Sequence, residues 1–124
     1  MASLNKKILV VEDTKSYLFV LSETLRSAGF VVVTAENGEE GLDAVKEEKP
    51  DLILSDITMP KMTGTEMAKK IKEFDDKTPI IFLTNLSDMT NINAALESSK
   101  DYIVKADSTA DDVVVKVKEK LGIK

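Results

Sequence analysis

The chain has 124 residues, 43% of them hydrophobic, with 17 Lys and Arg against 22 Asp and Glu. That suffices for one compact domain with a single core, and the net charge of −5 without any basic run argues against a nucleic-acid surface. The absence of Cys and His removes disulfides, thiolate and imidazole metal sites, Ser-His-Asp catalysis and any phosphohistidine carried by this chain.

Residues 8–11 read as a strand ended by Glu12 and Asp13. Over residues 14–28, Leu18, Leu21 and Leu25 recur at helical spacing, and Gly29 stops the helix. Residues 30–34 are rich in β-branched side chains and read as a second strand. Asn37 and Gly38 mark a turn, and residues 39–49 form a charged helix that buries Leu42 and Val45 and is closed by Pro50. Residues 52–55 are the third strand, running into Asp56. Residues 64–74 follow as a helix with Met67, Ile71 and Phe74 as its apolar stripe. Pro79 opens a fourth strand at 80–83, and a helix is expected near 87–98. A short strand at 102–104 and a helix over 109–121 complete the chain. Apolar runs end after a few residues, so no segment spans a membrane. The N-terminus lacks the hydrophobic stretch of a secretory signal, and a cytoplasmic location is expected.

Strands that are apolar without alternation are buried on both faces, as in a parallel sheet covered by helices. Five βα units in strict alternation predict a doubly wound α/β domain over residues 1–124. Functional groups in such sheets collect at the carboxyl ends of the strands. Glu12 and Asp13 end the first strand here, Asp56 the third, Thr84 the fourth and Lys105 the fifth. Each alone has an ordinary explanation: Asp13 as a helix cap, Asp56 in a turn, Glu12 and Lys105 as solvated charges. Together they bring three carboxylates, a hydroxyl and an ammonium to one sheet edge. Three carboxylates held close repel one another and call for a cation. A donor set of hard oxygens alone points to Mg²⁺. An Asp beside such a cation can act as a nucleophile towards phosphorus, while Lys105 and Thr84 stabilise charge on the phosphoryl oxygens.

The segments VVED at 10–13, LSDITMPKMTG at 54–64, FLT at 82–84 and DYIVK at 101–105 carry a resemblance to the receiver domains of two-component response regulators, of the single-domain chemotaxis type. The resemblance covers essentially the whole chain. It implies a flavodoxin-like three-layer sandwich, with five helices about a sheet of strand order 2-1-3-4-5. Asp56 matches the phosphoacceptor, charged from the phosphohistidine of a sensor histidine kinase or a phosphotransfer protein. Asp13 and Asp56 look like direct Mg²⁺ ligands, with the Thr58 backbone carbonyl as a third and Glu12 holding a metal-bound water. Thr84 resembles the switch hydroxyl, and Tyr102 the aromatic side chain that follows it. That movement alters the face formed by the helix at 87–98, the strand at 102–104 and the final helix. Lys105 matches the phosphate-pairing lysine, and Pro60 and Gly64 the loop that shapes the approach to Asp56. The implied protein is a signalling phosphoacceptor rather than a turnover enzyme, monomeric or dimerising on phosphorylation. It carries no output domain, and its downstream partner is a protein that the sequence does not identify.

The chain has its own character at several of the family's positions. Ala106 follows Lys105 where relatives place a cis proline; a cis bond without proline costs roughly 2.5–4 kcal/mol, so a trans bond or a strained cis bond is expected. Asn85 stands where relatives have a small residue, and its larger side chain is expected to crowd the phosphoryl entry path, making it a rate-tuning position. Thr58 and Leu86 occupy positions that tune the lifetime of the aspartyl-phosphate, and Leu86 cannot position a water, which predicts slow self-dephosphorylation. Ser98, Ser99 and Lys100 replace an Ala-Gly-Ala turn, so the preceding helix must end without a left-handed glycine. Three other readings are a Mg²⁺-dependent aspartyl-phosphate phosphohydrolase, a flavin or nucleotide module, and a phosphorylation-independent scaffold. The first wants a second acid two positions after the nucleophile, where Thr58 stands. The second wants a Gly-rich loop after the first strand, where Glu12 and Asp13 stand. The third is disfavoured by the intact acidic pair, Asp56, Thr84 and Lys105.

Overall fold

Unbroken runs of Ile, Leu and Val can be buried only if both faces of their sheet are covered. The computed structural model, which describes residues 5–85 and 102–123, has this arrangement. Strands β1 (Lys7–Val11), β2 (Val31–Ala35), β3 (Leu52–Asp56), β4 (Ile80–Thr84) and β5 (Tyr102–Val104) form one parallel sheet in the order β2-β1-β3-β4-β5. β3 and β4 are buried at every position, whereas the edge strands β2 and β5 are partly exposed. Four helices are present among the described residues: α1 (Lys15–Ser27), α2 (Gly38–Glu48), α3 (Gly64–Lys72) and α4 (Ala110–Leu121). The helix expected at 87–98 lies outside the described residues, as do Leu86, Ser98, Ser99 and Lys100.

Alternate strand residues feed two separate cores. Ile8, Val10, Leu52, Leu54, Ile81 and Leu83 pack with Leu21 and Leu25 of α1 and with Val113 and Val117 of α4. Leu9, Val11, Ile53 and Phe82 pack on the other side with Val45 of α2 and with Met67 and Ile71 of α3. The two-residue period of the strands therefore sorts one apolar run into both layers.

The helix ends follow from local chemistry. Thr63 and Glu66 form a reciprocal capping box at the start of α3, and Thr109 and Asp112 form one at the start of α4. Such caps satisfy amide donors left over at helix starts and are each worth about 1 kcal/mol. Gly122, at φ 71°, ends α4 in the left-handed conformation that glycine adopts without steric cost. Asn37 caps α2 by accepting from the Glu40 N–H at 2.9 Å. The ordinary alternative for Asp13 as a helix cap does not hold, because the N-cap residue of α1 is Thr14. One expectation needs correction. Phe74 is not part of the buried stripe: α3 ends at Lys72, and Phe74 is about half exposed, with the Lys46 ammonium 5.4 Å from its ring centre.

The register positions the site. Val11 pairs with Ser55, Asp56 with Leu83, and Thr84 with Val104. Glu12, Asp56, Thr84 and Lys105 therefore arrive at one edge of the sheet, at its carboxyl end.

Candidate functional site

Glu12 follows the last residue of β1 and has no exposed surface. Its amide donates to the Ala35 carbonyl at 3.0 Å, tying it to the end of β2. Its Oε1 accepts from the Thr14 N–H at 3.1 Å, and its Oε2 accepts from Lys105 Nζ at 2.6 Å. Asp56, the last residue of β3, is 3% exposed, and its Oδ2 accepts from Lys105 Nζ at 3.0 Å. Its Oδ1 is buried without a hydrogen-bond partner. Asp13 is exposed beside them, and one oxygen from each of the three carboxylates lies within 4.8 Å of the others.

Burial and the neighbouring Glu12 charge push the Asp56 carboxyl up to about 6, against the pull of Lys105. For Lys105, burial favours the neutral amine. The hydrogen bond to Glu12 and the charges of Asp56 and Glu12 outweigh it, so its pKa rises and the ammonium is retained. A buried carboxylate oxygen without a partner is costly, and it is a natural ligand atom for a cation. The three acids and the orphaned Oδ1 thus fit a hard divalent cation; a His or Cys ligand is unavailable anywhere in the chain.

The loop after Asp56 is folded tightly beneath the site. Ile57 N–H donates to the Leu83 carbonyl at 3.2 Å, and the Gly64 N–H donates to the Ile57 carbonyl at 2.7 Å. A Cβ on Gly64 would overlap the Asp56 carbonyl oxygen, so this close approach requires glycine. Pro60 lies within the same turn, its carbonyl accepting from Met62 N–H at 2.8 Å.

A cleft of about 410 Å³ opens above the acids, lined by Asp13, Tyr17, Asp56, Thr58, Asn85 and Lys105 among others. Thr58 and Asn85, placed here by the sequence as tuning residues, are both exposed at it. Thr84 is fully buried at the end of β4, and its hydroxyl donates to the Asn85 carbonyl at 3.1 Å. Tyr102, the first residue of the edge strand β5, is 36% exposed. The peptide between Lys105 and Ala106 is trans, within a short 3₁₀ turn over Lys105–Asp107.

Tyr17 was absent from the sequence-derived site. Its ring centre lies 4.7 Å from Lys105 Nζ. The signal was available: positions 17, 21 and 25 form one row of α1, and Leu21 and Leu25 are fully buried. A residue one turn before them at the helix start faces the sheet near its carboxyl edge.

The profile of the response regulator receiver domain matches residues 8–118. The chain is 39% identical over 103 residues to the alkaline phosphatase synthesis transcriptional regulatory protein PhoP of Bacillus subtilis, an overlap covering 82% of this chain and 43% of that protein. It is 32% identical to the DNA-binding response regulator MtrA of Mycolicibacterium smegmatis, covering 98% of this chain and 53% of the relative. The chain thus spans about half or less of the length of these relatives. Among solved structures, the CheY-like receiver domain protein of Methanospirillum hungatei superposes with a TM-score of 0.87 at 31% identity, over 94% of each chain. Matched along nearly its whole length in sequence and in backbone, the chain belongs to the response regulator receiver domain family.

Proposed function

We propose that Asp56 is the phosphoacceptor, charged from the phosphohistidine of a sensor histidine kinase or a phosphotransfer protein in the cytoplasm. The observation that carries this reading is the state of the Asp56 carboxylate: one oxygen is held by Lys105, while the other is buried beside two further acids and has no partner. In the transfer, an Asp56 oxygen forms a bond to phosphorus as the phosphorus–nitrogen bond breaks. The bonding pair leaves with the imidazole. Lys105 supplies positive charge to the phosphoryl oxygens, which carry the charge of the transition state.

Asp13, Asp56 and the Thr58 backbone carbonyl would hold Mg²⁺, with Glu12 reaching it through a water, and the cation would supply charge to offset that of the transferring phosphoryl group. The Thr84 hydroxyl then turns towards the new phosphoryl group, and Tyr102 follows. The signal leaves as altered protein binding through the face of residues 87–98, β5 and α4. Tyr102 on β5 and Val115 on α4 are exposed apolar side chains that such a partner would cover. The chain is a switch, loaded once per transfer, that also loses its phosphoryl group to water unaided.

The test is to incubate the chain with Mg²⁺ and acetyl phosphate or beryllofluoride, alongside Asp56→Asn. Stable modification that requires Asp56 supports the reading. Many turnovers of a phosphoester favour a phosphohydrolase instead, and no modification favours a scaffold.

A further inference from the structure

Lys105 is an unpromising residue on which to rest a precise contact. It follows β5, an edge strand of only three residues, and sits in a short 3₁₀ turn. Its four-carbon stem has large rotamer freedom, which must be frozen to hold the ammonium at one point. Three groups hold it: Glu12 Oε2 at 2.6 Å, Asp56 Oδ2 at 3.0 Å and the Tyr17 ring centre at 4.7 Å.

These three partners respond differently to events in the cleft. A cation among the acids shares the charge of both carboxylates and weakens their hold on the ammonium. Modification of Asp56 replaces one carboxylate outright. The ring face attracts the ammonium through its quadrupole, which neither event alters. Tyr17 is also well anchored, on α1 and packed against the core layer formed by α1 and α4. Burial, with Glu12 and Asp56 adding to it against Lys105, raises the phenol further from ionisation, so the ring stays neutral.

We propose that Tyr17 is a positioning residue for Lys105, its ring face keeping the ammonium in the cleft when the carboxylates are occupied by other charges. The inference deepens the phosphoacceptor reading in its kinetic consequence, but the contact itself is independent of that reading.

The experiment compares wild type with Tyr17→Phe, Tyr17→Leu and Tyr17→Met in the full chain. Thermal unfolding identifies any variant that does not fold, and either aliphatic variant serves if the other fails. Lys105 side-chain resonances are recorded with and without Mg²⁺, and Asp56 modification by acetyl phosphate is timed. Wild type and Tyr17→Phe should show the upfield ring-current shift at the Lys105 Cε protons, retained on Mg²⁺ addition, and the aliphatic variants should lose it. Acetyl phosphate should modify the aliphatic variants about fivefold more slowly, the scale of one cation–π contact, with the rate rescued in Tyr17→Phe. Tyr17→Phe as slow as Tyr17→Leu would assign the effect to the hydroxyl and overturn the proposal. So would a wild-type rate in the aliphatic variants, or no ring-current shift in wild type. A wild type that takes up no phosphoryl group removes the phosphoacceptor reading instead, and the clamp then stands or falls on the ring-current shift with Mg²⁺.

Discussion

The Lys105 ammonium donates to Glu12 Oε2 at 2.6 Å, and Glu12 has no exposed surface at all. Removing one partner of a buried pair strands the other charge, which ordinarily costs ~3–5 kcal/mol. Asp56 softens the loss here by taking up a proton at a pH where carboxylates are normally ionised. Lys105→Met should therefore lower metal-free stability by about 2 kcal/mol, read from urea unfolding in a chelator. Excess Mg²⁺ should recover part of the deficit. An unchanged midpoint in chelator would show that the ammonium is not what balances the acids.

The raised Asp56 pKa makes stability depend on pH with a definite sign. The folded state holds this proton more tightly than the unfolded chain, where the ordinary value is 3.8 against about 6 in the fold. Stability in the absence of metal is thus fully favoured below about pH 4 at this residue and is lost as pH rises through about 6. Asp56→Asn removes the titration, so the variant should be the more stable chain at pH 7.5, by roughly 2–3 kcal/mol, and by only about 1 kcal/mol at pH 4.5. Parallel unfolding curves across that range settle the matter. A stability difference that does not change with pH would sink the assignment.

Gly64 faces the carbonyl of the residue whose side chain is proposed to react. Gly64→Ala places a methyl where that carbonyl oxygen lies, and backbone rather than a flexible side chain must shift. A loss of about 2–4 kcal/mol is expected, with weaker divalent-cation binding because the Asp56 backbone moves. Denaturant unfolding and a Mg²⁺ titration measure the two effects. Retention of both would mean the loop yields more easily than its hydrogen bonds suggest.

Leu86 offers no group to orient a water towards an aspartyl-phosphate. The modified chain should accordingly lose its phosphoryl group slowly, and Leu86→Glu should shorten the lifetime. Chasing a phosphorylated sample by phosphate release compares the two. Equal lifetimes, in this variant and in Leu86→Ala, would remove Leu86 from the residues that set the rate.

Much of this architecture could be read in the residues themselves. Unalternated aliphatic runs announced a sheet covered on both sides, and chain-order alternation made it parallel. The acids at 12, 13 and 56 were legible because strand ends are where such sheets gather polar groups. Three features resisted. Phe74 continues the spacing of Met67 and Ile71, but periodicity does not report that the helix has already ended at Lys72. Tyr17 was hidden by counting Leu18 alone as the first residue of the stripe, although both are partly buried against the same core and both lie one turn before Leu21. The orphaned Oδ1 of Asp56 depends on which way one carboxylate turns in three dimensions, and spacing carries no information about that.

The strand register described above makes the acid cluster a gauge of correct folding. Shifting β1 against β3 by one residue would exchange the faces of every aliphatic side chain and carry Glu12 to the wrong layer. A chain with its two cores correctly sorted has therefore already assembled its carboxylates, with no further search. Titration with a luminescent lanthanide would report native strand pairing directly, and a population of slipped chains would be counted by what fails to bind.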